Sequence, residues 1–437
     1  MITAKAFAGK SYAVLGLARS GVATVEALLA SGAHVTAWDR QDVARAPFEG
    51  RCDLADPLEM DLTGFAGVVV SPGVPLNTHP IKPHAEKFDV PVIGDIELFA
   101  LARPELPGHK VVGITGTNGK STTTALVHHI LETAGVPTTM GGNIGLPILA
   151  QEPLPAGGVY VLELSSYQID LTYSLDCDVA VLLNITPDHL DRYDGDFEKY
   201  AASKLRLLTM QSGEHLSFVG DIIPEGLVIA RDTNPIPEID PSRQLDWPSL
   251  AGPHSAENAS AAIQACSELD ITSGDIERGL RAFTGLPHRM ELVTQHGGVL
   301  YINDSKATNP DSTAPALAAY PPENSKPRIH WIVGGLPKED GLGPCEQHLG
   351  NIAAAYTIGD AGPRFAELLE PHVHVERAEM LQDAVSRAMA SASEGDVVLL
   401  SPACASFDQF RDYEARGEHF RQVVMALTGE LTASEEA

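Results

Sequence analysis

The feature that most constrains this chain is a strand that runs straight into a glycine-rich turn. Val111 to Thr115 is an apolar run, Gly116-Thr-Asn-Gly-Lys-Ser follows it, and a helical stretch begins near Ser121. A strand, a loop rich in glycine and a helix N-terminus together make a cradle for phosphate. Glycine lets the backbone approach the anion, and the first helical N–H groups point at it. Lys120 would neutralise β/γ-phosphate charge and Ser121 would offer a hydroxyl to Mg²⁺. The strict G-x-x-x-x-G-K-[ST] pattern wants glycine at position 114, where this chain has Ile114, so the loop is a variant. Gly135 ends the helix, where glycine accepts a left-handed cap.

The same arrangement recurs along the chain. Tyr12 to Leu15 reads as a strand, followed by a small-residue turn, a helix, and a second strand, His34 to Trp38, ending in Asp39. Gly67-VVVSPGVP lays a further strand into a turn. Apolar strands follow at Val159 to Leu162 and Val179 to Leu183, and a third block holds Val299 to Ile302, Ile329 to Val333 and Val397 to Leu400. Strands alternating with helices predict α/β domains with mostly parallel sheets, whose ligands sit beyond the carboxyl ends of the strands. A Pro- and Asp-rich region, Ile222 to Pro248, breaks the rhythm as a surface excursion. A chain of 437 residues accommodates two to four domains of roughly 100–200 residues.

Charge narrows the partners. Lys and Arg number 30 and Asp and Glu 58, so the net charge is 30 − 58 = −28. Such a surface repels nucleic acid and anionic lipid. No segment approaches the ~20 apolar residues of a membrane span, and no secretory apolar core opens the chain. Five scattered cysteines without C-x-x-C spacing read as buried thiols of a reducing compartment. The expectation is a cytoplasmic, monomeric protein acting on small molecules.

Groups at strand ends carry the chemistry. Gly16-LARSG matches G-x-G-x-x-G imperfectly, with Ala18 at the second glycine, and Asp39 follows at a ribose-binding distance. That turn reads equally as a nucleotide site or as a tight strand–helix turn with no ligand. Glu163 ends a strand in LELSSYQ, beside Ser165 and Ser166. His189 follows another in NITPDHLDRY, as metal ligand, base or turn residue. In Asp196-FEKYAASKLRLL, Phe197, Tyr200, Ala201, Leu205 and Leu208 form an apolar stripe. Lys204, seven residues after Phe197, shares it. Such a lysine either snorkels to water or points into a site. An inward amine has a lowered pKa and reacts, when neutral, with CO₂ to give an anionic carbamate able to ligate Mg²⁺. Asp304, Lys306 and Thr308 follow a strand in NDSKATNP. Ser406 and Tyr413 follow the last strand, next to Cys404, which has no histidine near it in sequence.

GTNGKSTTT, GGNIGLP, LELSSYQ, NITPDHLDRY, LPHRME, NDSKATN and SPACASFDQFRDYEARG occur here in an order that resembles the Mur ligase family over nearly the whole chain. LELSSYQ and NDSKATN look like its D-glutamate-adding member more than its L-alanine-, diaminopimelate- or dipeptide-adding relatives. The resemblance implies three doubly wound domains: a Rossmann-like UDP-binding domain (1–97), a central P-loop ATPase-type domain (98–287) and a C-terminal Rossmann-like, amino-acid-binding domain (288–437). It implies ATP-dependent ligation of D-glutamate to UDP-N-acetylmuramoyl-L-alanine through an acyl phosphate. That reaction belongs to peptidoglycan synthesis, and so to cell shape and division.

Carried over residue by residue, Gly116, Thr117, Asn118, Gly119, Lys120, Ser121 and Thr122 would cradle ATP, with Asn258, Arg289 and Asp304 as further nucleotide contacts. Two Mg²⁺ would be held by Ser121, Glu163, His189 and a carbamylated Lys204. Lys120, Asn143, His189 and Lys204 would serve catalysis. Gly16, Leu17, Ala18, Arg19, Ser20, Asp39, Arg40, Gly73, Asn143 and Ser165 would meet the UDP-sugar. The family often has Thr directly after that Asp, where this chain has Arg40. Lys306, Thr308, Lys338, Ser406, Phe407 and Tyr413 would hold D-glutamate, Tyr413 standing where the family often has Phe. Lys338 lies in the family's flexible Gly-Gly segment, here Gly334-GLPKEDG.

Three rivals stand beside this reading. A folylpolyglutamate synthase shares the scaffold without the N-terminal UDP domain. A NAD-binding oxidoreductase would need no ATP. A silent ATP-binding interaction protein would bind ATP and release no phosphate.

Overall fold

The computed structural model describes residues 1–188, 190–221, 223, 232–250, 252–338 and 341–429. It contains three sheets. In the first, β1 (Ser11–Leu15), β2 (His34–Trp38), β3 (Asp53–Leu54), β4 (Phe65–Val70) and β5 (Val92–Ile93) lie in the order β3-β2-β1-β4-β5. In the second, β6 (His109–Thr115), β7 (Thr138–Gly142), β8 (Gly158–Glu163), β9 (Val179–Leu182), β10 (Leu216–Val219) and β11 (Asn234–Pro235) lie in the order β11-β10-β9-β6-β8-β7. In the third, β12 (Glu291–His296), β13 (Val299–Asn303), β14 (Ile329–Gly334), β15 (Ile352–Ile358), β16 (His374–Glu379) and β17 (Val397–Leu400) lie in the order β12-β13-β17-β14-β15-β16. Pairing is parallel except between β12 and β13.

The strands expected from their apolar runs form where the sequence places them, with ends moved by one or two residues. The reason is burial on both faces: β8 and β9 are buried along their whole length, as parallel strands covered by helices must be. The phosphate-loop helix spans Lys120–Thr133, and Gly135 takes the left-handed φ of +76° just past its end. Residues 222 and 224–231 of the Pro- and Asp-rich excursion lie outside the described residues. Its remainder supplies the short edge strand β11 and a 3₁₀ turn at Pro241–Asp246.

Contacts group the chain into two compact units: Met1–Glu238 with Glu257–Leu280, and Ile239–Ala256 with Arg281–Ala437. The first unit holds the first two sheets and the second unit holds the third. In the first unit one apolar core runs from Phe7 and Val25 through Phe99 and Tyr160 to Tyr200 and Leu207. Polar latches accompany it. The buried Glu97 carboxylate accepts from the Tyr173 amide (2.6 Å), the Ser174 amide (2.9 Å) and the Ser174 hydroxyl (2.7 Å). The Arg192 guanidinium donates to the carbonyls of Pro72 (3.0 Å) and Val74 (3.1 Å). In the second unit Trp331 and Ile302 belong to one buried cluster of the sheet, and Tyr356 and Phe420 to another.

The Gly16 turn shows how tightly the sequence is specified. Gly16 has φ +89°, and its carbonyl accepts from the Ser71 hydroxyl at 2.7 Å. A Cβ on Gly21 would lie 1.8 Å from that same carbonyl oxygen. The last glycine of the G-x-x-x-x-G stretch is therefore required by the close approach of helix and strand end. Gly21→Ala should destabilise the first unit by about 1–3 kcal/mol through overpacking, read as an earlier urea transition. An unshifted transition would show that the turn yields freely.

Candidate active site

The loop after β6 is fixed by its neighbours before any ligand arrives. Asn184, past the end of β9, accepts from the Thr117 amide with its carbonyl (2.9 Å) and from the Asn118 amide with its side-chain oxygen (2.9 Å). The Thr117 hydroxyl donates to the Thr186 carbonyl at 3.0 Å and lies 3.0 Å from the Tyr200 hydroxyl. Gly116 and Gly119 take φ +156° and +81°, and a Cβ on Gly119 would sit 2.2 Å from the Asn258 side-chain oxygen. Asn258 therefore packs directly on the loop, where it also accepts from the Thr123 hydroxyl at 3.2 Å. Ser121 and Thr122 lie in the first turn of the helix, with Ser121 buried.

Two lysines converge on this loop. Lys120 Nζ folds back to the carbonyls of Gly116 (3.0 Å) and Thr117 (2.8 Å). Lys204 Nζ donates to the same Gly116 carbonyl at 2.7 Å and stands 4.7 Å from the Tyr200 ring centroid. The helix Phe197–Thr209 is capped by Asp196 and buries Tyr200, Ala201, Leu205 and Leu208. Lys204 is 2% exposed, so it does not snorkel. Burial, and then the neighbouring Lys120 charge, lower its pKa from 10.5 to about 7, against the pull of Asp188 and Asp170.

These lysines open onto a cleft of about 300 Å³ lined by Gly73, Asn143, Ser165, Tyr167, Asp188 and Arg192 among others. Glu163, at the end of β8, is 2% exposed. Its Oε1 accepts from the Asn143 side-chain amide at 2.8 Å, and its Oε2 has no hydrogen-bond partner. A buried, unpaired carboxylate oxygen is costly unless a cation takes it. The donor set present therefore fits a hard divalent ion. His189 lies outside the described residues. Among the described residues no three His, Cys, Asp or Glu side chains cluster as a metal site. Ser165 caps the helix Ser166–Asp170 in a reciprocal box with Gln168.

At the first sheet, Asp39 Oδ2 accepts from the Leu17 amide (2.8 Å) and Oδ1 from the Gln41 amide (3.0 Å). In this conformation the acid shapes the turn with both its oxygens. Ala18 is the N-cap of the helix Arg19–Ala30, which also carries Ser20, and Arg19 donates to the Gly145 carbonyl at 2.8 Å. Arg40 is exposed.

The second unit gathers the other group. Lys306 Nζ lies 3.8 Å from the Tyr413 ring centroid, and Lys338 Nζ donates to the Thr308 hydroxyl at 3.0 Å. Ser406 is buried while the neighbouring Phe407 is 68% exposed. Asp304 accepts from the Ser401 hydroxyl (2.8 Å) and the Met290 amide (3.2 Å), and burial pushes its pKa up to about 7. Arg289 is exposed, beside His288, which adopts φ +63°. Burial raises the Cys404 thiol to about 12, which removes it as a nucleophile.

Residues 114–223 match the Mur ligase middle domain and residues 288–404 the Mur ligase glutamate ligase domain. A UDP-N-acetylmuramoylalanine–D-glutamate ligase of Novosphingobium aromaticivorans is 63% identical over 98% of this chain and 97% of its own length. The chain belongs to the Mur ligase family. The ligase of the same name from Zymomonas mobilis subsp. mobilis is 52% identical over 98% of this chain and 100% of its own. In fold, the chain is similar to a MurF ligase from Thermotoga maritima solved in complex with ADP, at TM-score 0.55 and 15% identity over 97% of this chain and 96% of that one.

Tyr167, Asp188, Arg192 and Tyr200 line the cleft without having been singled out from the sequence. Asp188 and Arg192 lie in NITPDHLDRY and Tyr200 on the apolar stripe, so a signal was there. It does not distinguish a core tyrosine from a lining one.

The depressed Lys204 pKa sets a pH dependence. A lysine lowered from 10.5 to about 7 binds fewer protons folded than unfolded across that window. Stability therefore rises with pH between about 7 and 10.5. In CO₂-free buffer the wild type should gain stability relative to Lys204→Met as pH is raised through that window. Parallel curves for the two would place the ammonium in water.

Proposed function

We propose that the chain joins the amine of D-glutamate to the terminal carboxylate of UDP-N-acetylmuramoyl-L-alanine with cleavage of ATP, as relatives at 63% and 52% identity are named to do. The observation that carries the mechanism is the pair of lysines on the Gly116 carbonyl beside an unpaired buried carboxylate oxygen. Residues Gly116 to Thr122, with Asn258, form the nucleotide loop, and Arg289 and Asp304 are the nucleotide contacts of the second unit. The carboxylate oxygen of the sugar peptide attacks the γ-phosphorus as the bond to ADP breaks. The amine of D-glutamate then attacks the acyl carbon, the carbon–oxygen bond to phosphate breaks, and the amine gives up its proton. Lys120, released from the Gly116 and Thr117 carbonyls, follows the transferring phosphoryl charge. Asn143 lies near the acyl phosphate.

Lys204 acts as a carbamate. The ammonium first loses a proton, and the neutral amine then adds to CO₂ with loss of a second, which turns a cation beside Lys120 into an anion and replaces repulsion by attraction. Ser121, Glu163, His189 and this carbamate hold two Mg²⁺, which when bound neutralise phosphate charge and align the acceptor carboxylate. Gly16 to Ser20, Asp39, Arg40, Gly73 and Ser165 meet the UDP-sugar. Lys306, Thr308, Lys338, Ser406, Phe407 and Tyr413 hold D-glutamate, whose two carboxylates suit two lysines. The protein works as a cytoplasmic monomer. No helix among the described residues is long and apolar enough to cross a membrane.

Phosphate release from ATP, with the UDP-sugar and D-glutamate, L-glutamate, L-alanine or meso-diaminopimelate offered separately, should occur with D-glutamate only. Release with another amino acid would move the specificity, and none with any would remove the reading. Stripping CO₂ and bicarbonate should lower the rate, and adding bicarbonate should restore it in the wild type but not in Lys204→Ala. A rate indifferent to bicarbonate would remove the carbamate.

A further inference from the structure

One buried cation in the second unit has no place in the scheme so far. Arg416, in the first turn of the helix Tyr413–Thr428, is 1% exposed. Among the described residues it forms no ion pair. Its hydrogen bonds go to neutral oxygens: Nε to the Ser305 hydroxyl (3.0 Å), Nη2 to the carbonyls of Ser305 (2.8 Å) and Cys404 (3.0 Å), and Nη1 to the Ala405 carbonyl (3.3 Å). Burial lowers its pKa to about 10, so the group remains charged at neutral pH.

Burying a guanidinium against carbonyls and one hydroxyl, with no carboxylate, is an expensive way to staple a fold. Where it is spent is informative. Ser305 precedes Lys306 and stands three residues before Thr308, and its hydroxyl donates to the Tyr413 carbonyl at 2.8 Å. Cys404 and Ala405 lead into Ser406 and Phe407. Gly335, with φ +133°, packs so close that a Cβ there would lie 2.4 Å from the Ala405 carbonyl oxygen and 3.1 Å from Arg416 Nη1. The Ala405 and Leu336 backbones exchange hydrogen bonds at 2.9 Å, two residues before Lys338. Every segment that carries a candidate amino-acid contact is thus tied to one planar fork.

We propose that Arg416 is a positioning residue of the amino-acid site, which its guanidinium assembles from the 304–308, 334–338, 404–407 and Tyr413 segments. It touches no substrate. Its rigid fork sets the spacing of Lys306, Lys338 and Ser406, and its unpaired charge adds positive potential beneath a dicarboxylate. Lysine, with one nitrogen, cannot reproduce the fork. The proposal rests on the reading that these segments hold D-glutamate.

Steady-state kinetics with each substrate varied in turn, and thermal melting alongside, test it. Arg416→Lys should raise the KM for D-glutamate by about tenfold or more, as expected when binding groups are misplaced. KM for ATP and for the UDP-sugar should stay within about twofold. Ser305→Ala removes one acceptor and the tie to Tyr413, and should raise the same KM by a few-fold with little change in melting. A wild-type KM for D-glutamate in folded Arg416→Lys, or a fall in kcat with all three KM values kept, would overturn the proposal. If Arg416→Lys fails to fold, Ser305→Ala decides: an unmoved KM for D-glutamate overturns the proposal. The underlying reading is checked apart from this. If Lys306→Ala and Ser406→Ala both keep the wild-type KM for D-glutamate, the assignment of the site falls, whatever Arg416 does.

Discussion

The site in the first unit depends on one carbonyl oxygen. Gly116 C=O receives hydrogen bonds from Lys120 and Lys204, two ammonium groups drawn from different helices onto the same acceptor. Only glycine adopts φ +156° there at low cost, so the loop can present that oxygen inward. Burial first, and then the neighbouring Lys120 charge, disfavour the Lys204 ammonium, whose pKa falls to about 7. Two cationic side chains on one acceptor make this the point of the first unit where negative charge would be most favourable.

Around that point the first unit is tied by polar contacts that an apolar core does not provide. Asn184 anchors the loop backbone, Glu97 ties the helix Asp95–Ala102 to the segment at Tyr173, and Arg192 holds the carbonyls flanking Gly73. Arg192 also lies 4.3 Å over the Tyr167 ring, so the same side chain that secures the first sheet's loop lines the cleft. Removing such a contact would disturb the cleft lining as well as cost stability. In the second unit Arg416 ties segments in a similar way, through the Ser305 hydroxyl and the backbone carbonyls of Ser305, Cys404 and Ala405.

What could be read in advance followed from local rules. Apolar runs buried on both faces specified the central strands of the three sheets but not the outer ones, and the helical period placed Lys204 on the apolar stripe of its helix. The tight strand–helix turn read as one alternative at Gly16 to Gly21 is present, with a Cβ at Gly21 meeting an oxygen at 1.8 Å. These features depend on neighbours within a turn or a strand, so composition and spacing suffice.

The sequence by itself therefore determined the α/β class and the strand–glycine loop–helix unit at Gly116, and it put Lys204 on the apolar stripe of its helix without deciding between water and the interior. The tertiary structure decided which distant groups share an atom. Asp39 accepts from the Leu17 amide 22 positions away as well as from Gln41 in its own loop, Asn184 reaches a loop 66 positions away, and Arg416 reaches Ser305 across 111. A periodic pattern says which face of an element is buried. It does not say against which element, because that depends on the order in which the strands assemble. That order is a property of the whole sheet, and it places the hydrogen-bonding groups of remote loops at one edge.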